Sequence, residues 1–165
     1  VLLIRHPDDV IRSYLRKGWY DRSIAYRDRS QVPGFQACEH FHHFLGRPIP
    51  SGDEFQSWNQ LTRAGKLAWF WSTVNRMVAK QFESLPRGKT HIQKLETLDY
   101  HSYLDLTDFL GIESQVTRRE FQRIQKARPN RSRGGRGERE VWSELEREEI
   151  SQQAGETATI FGYSL

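Results

Sequence analysis

The opening residues Val1-Leu2-Leu3-Ile4-Arg5-His6-Pro7-Asp8-Asp9-Val10-Ile11-Arg12-Ser13-Tyr14-Leu15-Arg16-Lys17-Gly18 change their periodicity at Pro7. Before it stands a continuous apolar run, Val1 to Ile4, the pattern of a strand covered on both faces in a largely parallel sheet. After it Val10, Ile11, Tyr14 and Leu15 recur at helical spacing, Asp8 or Asp9 can cap the helix, and Gly18 ends it. Strand, turn and helix in this order predict an α/β domain.

The rest of the chain continues in that style. Residues 19–60 hold Trp19, Tyr20, Tyr26, Phe35, Phe41, Phe44, Phe55 and Trp58 without a sustained period, which predicts short helices and ordered loops. Leu67, Phe70, Trp71, Val74, Met77, Val78, Phe82 and Leu85 recur every three or four residues up to Pro86, one face of a long amphipathic helix. Lys89 to Leu95 predicts an edge strand with Ile92 and Leu95 pointing inward. Tyr103, Leu106 and Leu110 form a helical face that Gly111 stops. Thr117-Arg118-Arg119-Glu120 and Ser143-Glu144-Leu145-Glu146 read as capping boxes, the first ahead of Phe121 and Ile124, the second ahead of Ile150, Ala154, Ala158 and Phe161.

A chain of 165 residues with 36% hydrophobic and 12% aromatic content is long enough for one core, so a single domain over 1–165 is expected. No apolar run approaches the roughly 20 residues that span a bilayer. The single cysteine, Cys38, excludes an internal disulfide and suits a reducing, cytoplasmic compartment. The chain opens at Val1 inside an apolar run, without an initiator Met, so a further N-terminal part is expected upstream.

Charge is unevenly placed. Residues 117–139 carry nine cations against Glu120 and Glu138, a net of +7, and residues 140–165 carry Arg147 against six glutamates, a net of −5. Segment 128–140, with Pro129, Gly134, Gly135 and Gly137, is a basic Gly-rich loop by composition. Such a local excess attracts a phosphate, a nucleotide or nucleic acid.

Arg5 stands where the first strand ends, and Ser13 follows eight residues later on the helix. A guanidinium engages phosphate oxygens bidentately, a hydroxyl donates one more hydrogen bond, and ligands of open α/β sheets bind at the carboxyl ends of strands. The string from Leu3 to Tyr14 resembles the 3′-phosphate-binding motif of the sulfotransferase family, which uses 3′-phosphoadenosine 5′-phosphosulfate (PAPS). Further landmarks come in that family's order: Leu95-Glu96-Thr97-Leu98, then Phe109-Leu110-Gly111-Ile112, then Asn130-Arg131-Ser132-Arg133-Gly134-Gly135, Trp142, and Phe161-Gly162-Tyr163.

The resemblance implies a three-layer, P-loop-like fold with a parallel sheet, of which this chain would be the C-terminal portion. It implies that Arg5 and Ser13 hold the 3′-phosphate and that Arg131 or Arg133 with Gly134 folds over it. The phosphosulfate loop and the catalytic base would lie upstream of Val1, so no catalytic residue is assigned. The aromatic residue that often precedes the acidic dipeptide is Leu95 here, which leaves the base contact open. The resemblance also favours a small-molecule or carbohydrate acceptor over nucleic acid, with the aromatics from Trp19 to Trp58 as a candidate acceptor wall.

Other clusters carry less. Cys38-Glu39-His40-Phe41-His42-His43 holds ligand-type side chains at no standard spacing, and no metal is expected. His6 reads as a turn residue and Asp99, Asp105 and Asp108 as surface charges on a helix; Glu96 could be a base by type, but the resemblance implies a structural role at the end of a strand. The alternative to a transferase is a nucleic-acid or polyanion-binding module built on the Arg-rich segment 118–139.

Overall fold

The computed structural model describes residues 1–21, 46–49, 51–127 and 141–165, and these fall into two compact units. The first comprises Val1–His6 and Met77–Arg133, the second Pro7–Arg76 and Gly134–Leu165. Together they are predominantly helical with a two-stranded parallel sheet, an α/β composition. Among the described residues no helix is long and apolar enough to cross a membrane.

In the first unit, strand β1 (Leu2–Ile4) pairs in parallel with β2 (Ile92–Lys94), Leu2 opposite Ile92 and Ile4 opposite Lys94. The expectation of a strand covered on both faces is corrected: Ile4 is buried, but Leu3 is 56% exposed, so β1 has the alternating burial of a one-sided strand. The inward residue of β2 is corrected too. Ile92 and Leu95 are exposed and Gln93 is buried, its amide nitrogen donating to the Lys94 carbonyl at 2.7 Å. A short 3₁₀ turn, Leu95–Thr97, follows β2.

The next helix numbered in chain order within this unit, α4 (Tyr100–Phe109), is capped by Asp99, whose carboxylate accepts from the Ser102 backbone amide at 2.8 Å. It stops where the sequence requires. Gly111, at φ 66°, donates to the Asp108 carbonyl and Ile112 to the Thr107 carbonyl, a Schellman closure that a residue with a Cβ resists. Helix α5 (Arg118–Ala127) begins at the predicted capping box, with both the amide and hydroxyl of Thr117 donating to the Glu120 carboxylate at 2.9 and 2.7 Å. Its buried anchor, Phe121, packs on the rings of Tyr100 and Tyr103 at 5.8 and 5.3 Å, while Ile124 is exposed.

The second unit holds α1 (Pro7–Arg16), α2 (Glu54–Gln60), the first part of α3 (Arg63–Glu83) and α6 (Glu144–Ile160). Pro7 is the first helical residue of α1, where its missing N–H costs nothing. Asp8 and Asp9 therefore lie in the first turn rather than at the cap, where their charge suits the helix dipole. Helix α3 is present as predicted, but its buried face is turned. Leu67, Ala68 and Trp71 are buried together with Ser72 and Asn75, whereas Val74 and Met77 are exposed.

Polar residues sit inside because each finds a partner. The Ser72 and Thr157 hydroxyls share a hydrogen bond of 2.7 Å, and the Asn75 amide nitrogen donates to the Trp71 carbonyl at 2.7 Å. On α6 the predicted face Ile150, Ala154, Ala158 and Phe161 is buried, and the capping box at Ser143 and Glu146 forms. Gly162, at φ 65°, then closes that helix, with Tyr163 donating back to the Ala158 carbonyl.

Candidate anion-binding site

Arg5 belongs to the first unit, directly after β1, and its side chain is exposed. The carboxyl ends of the two parallel strands are tied together there. The backbone N–H of His6 donates to Glu96 Oε1 at 2.6 Å, from the 3₁₀ turn after β2. Glu96, which by type could be a base, here accepts at a strand end, as the family resemblance implied, and it supports the turn on which Arg5 sits. Leu95, before it, is exposed.

Ser13 belongs to the second unit, in the last half of α1, and is half-buried. Helical serines and threonines commonly turn their hydroxyl onto their own backbone. Ser57 does so to Glu54, Thr107 to Leu104 and Thr159 to Gly155, at 2.8 to 3.0 Å. The Ser13 hydroxyl forms no hydrogen bond among the described residues, which leaves a donor available on a half-buried surface.

Helix α1 is fixed at both ends. At its C-terminus the Arg63 guanidinium donates to the Leu15 and Trp19 carbonyls at 3.0 to 3.2 Å, and Trp19 stacks on Tyr14 with centroids 4.0 Å apart. Its first turn carries a three-membered cluster. Arg12 pairs with Asp8 at 2.9 Å, the Trp142 indole N–H donates to the Asp8 carboxylate, and the Arg12 guanidinium lies 3.8 Å from the Trp142 ring centroid.

That cluster bears on the predicted site because Trp142 is the second residue after the basic segment 128–140. Arg131, Arg133 and Gly134 lie outside the described residues, as does the whole of 128–140. The chain emerging from them is nonetheless pinned to α1, on the residue next to Ser13. Sequence reasoning placed Trp142 only as a landmark; the Asp8 and Arg12 partnership was missed. Their i, i+4 spacing is a usable local signal, whereas a partner 134 residues away is not.

A second buried cluster was also missed. Glu149 on α6 accepts from the backbone N–H and the hydroxyl of Thr62, and Gly65 leaves the room its carboxylate needs. Lys66 donates to the Asn59 and Leu61 carbonyls at the end of α2 and lies over the Trp58 ring at 5.3 Å. Burial pushes its ammonium down to about 8, with Glu149 opposing the shift. Both groups are turned inward onto backbone, so the cluster ties α6 to the junction of α2 and α3 rather than facing a ligand.

Of the proposed aromatic wall, Tyr20, Phe55 and Trp58 are core residues. Tyr26, Phe35, Phe41 and Phe44 lie outside the described residues, as does the Cys38 to His43 segment. Among the described residues no group of three His, Cys, Asp or Glu side chains is placed to hold a metal ion. No family model matches this chain, and neither does any curated protein or solved structure.

Proposed function

We propose that the chain carries the 3′-phosphate-binding portion of a PAPS-dependent sulfotransferase with a three-layer, P-loop-like fold. In this reading Arg5 supplies a bidentate guanidinium, Ser13 a hydroxyl, and Arg131 or Arg133 with Gly134 a basic flap for the 3′-phosphate. The observation that carries it is the uncommitted Ser13 hydroxyl on the helix to which the exit of the basic loop is pinned by Trp142. The parallel pairing of β1 and β2, with Arg5 and Glu96 just past their carboxyl ends, supports the same assignment.

The reaction is an in-line transfer. An acceptor oxygen or nitrogen forms a bond to sulfur as the bond from sulfur to the bridging phosphate oxygen breaks, releasing 3′-phosphoadenosine 5′-phosphate; the acceptor proton goes to a base. The residues of this chain act at the far end of the donor, fixing its position. Thermal unfolding with and without 3′-phosphoadenosine 5′-phosphate tests the proposal. The nucleotide should raise the melting temperature, and Arg5→Ala should remove that rise; no rise in the unaltered chain refutes it.

A further inference from the structure

On α5 the packing and the charge face opposite ways. Phe121 is the buried residue of the helix, and Arg119, Arg123 and Lys126, all exposed, follow one another at i, i+4 and i+7. At 3.6 residues per turn these three form one stripe, about 10 Å long at 1.5 Å per residue. No ion pair among the described residues involves them. The one carboxylate of the helix, Glu120, is turned back to cap Thr117, whose hydrogen bonds, with a smaller contribution from the nearby Arg123 charge, hold it below its ordinary range. Arg118 is differently engaged, at 3.0 Å from His101 Nε2 and over the Tyr100 ring.

We propose that this stripe is a docking surface for the phosphate backbone of duplex nucleic acid, independent of the 3′-phosphate site. Three cations on one exposed face, none of them in a close ion pair among the described residues, are complementary to a duplex, which presents one negative charge per about 1.7 Å of axis. Two of the three are arginines, whose planar fork matches phosphate oxygens. The only aromatic side chain of α5 is buried, so the helix offers no platform for stacking unpaired bases. That favours a duplex over a single strand and contacts to backbone over contacts to bases.

Fluorescence anisotropy of a labelled 20-base-pair duplex, titrated with the chain at 50 to 200 mM salt, tests this. Arg119→Gln/Arg123→Gln/Lys126→Gln should flatten the slope of log affinity against log salt by about 2.7, at roughly 0.9 per phosphate contact. Across that range the unaltered chain then loses about 40-fold more affinity than the variant. Lys80→Gln/Arg87→Gln/Lys89→Gln, exposed positions of the same unit, removes the same charge and should keep the original slope. Circular dichroism of both variants checks that their helices are intact. Equal slopes for the two variants, no duplex binding by the unaltered chain, or α5-dependent binding of heparin without duplex binding would each overturn the proposal. The titration contains no mononucleotide, so its failure is distinct from failure of the 3′-phosphate reading.

Discussion

Trp142 can be removed in two stages, and the cluster it forms predicts how much each stage costs. Trp142→Phe keeps a ring under Arg12 but deletes the indole N–H that Asp8 accepts. A hydrogen bond to a charged group contributes about 1.5 to 3 kcal/mol, and Asp8 keeps Arg12 as a second partner at 2.9 Å, so the lower end applies. Trp142→Ala also deletes the ring, adding about 1 kcal/mol for the cation–π contact at a partly exposed site and about 1 to 2 kcal/mol of lost burial. The expected losses are therefore about 1.5 and 4 kcal/mol, read as shifts in urea midpoint at unchanged slope. Combining Trp142→Phe with Asp8→Ala, which leaves no side-chain acceptor for the indole N–H, isolates the pair. A coupling of about 1 kcal/mol is expected, and a coupling indistinguishable from zero would refute the claim that this contact pins the loop exit to α1.

Lys66 makes stability depend on pH in a specific window. Folded, its ammonium is held down to about 8 by burial, while the unfolded chain keeps the ordinary value of 10.5. Between these values the unfolded state binds more protons, so stability rises with pH, by about 2 kcal/mol from pH 8 to 10. Above pH 10 Tyr20 reverses the trend, because burial keeps its hydroxyl protonated in the folded state. Denaturant titrations at each pH check this, and Lys66→Met should abolish the rise. Gly65→Ala supplies a prediction opposite in sign to helix propensity. An added Cβ meets the Glu149 carboxylate, with the Glu149 Cβ at 3.1 Å, so a loss of about 1 to 3 kcal/mol replaces the usual gain of about 1 kcal/mol; chemical denaturation decides between them.

Local chemistry was readable from the chain and distant partnerships were not. The capping boxes at Thr117 and Ser143, and the stop at Gly111, involve residues a few positions apart, so composition and spacing suffice. The face of α3 depended on which neighbour covers it. Ser72 is inside only because Thr157 on α6 meets its hydroxyl, and no periodicity of apolar residues shows that. The same holds for β1, whose apolar residues suggested two covered faces although only Ile4 is buried. Arg5 and Ser13 were singled out by their place after a strand and by the family resemblance; that the Ser13 hydroxyl makes no hydrogen bond among the described residues, and that its neighbour Arg12 is held by Asp8 and Trp142, required coordinates.

The 3′-phosphate assignment is decided by calorimetric titration with two nucleotides that differ only in that group. 3′-Phosphoadenosine 5′-phosphate should bind and adenosine 5′-phosphate should bind at least 10-fold more weakly, with Ser13→Ala removing about 10-fold from the first and little from the second. Equal affinity for both nucleotides, or a Ser13→Ala variant indistinguishable from the unaltered chain, would contradict the assignment.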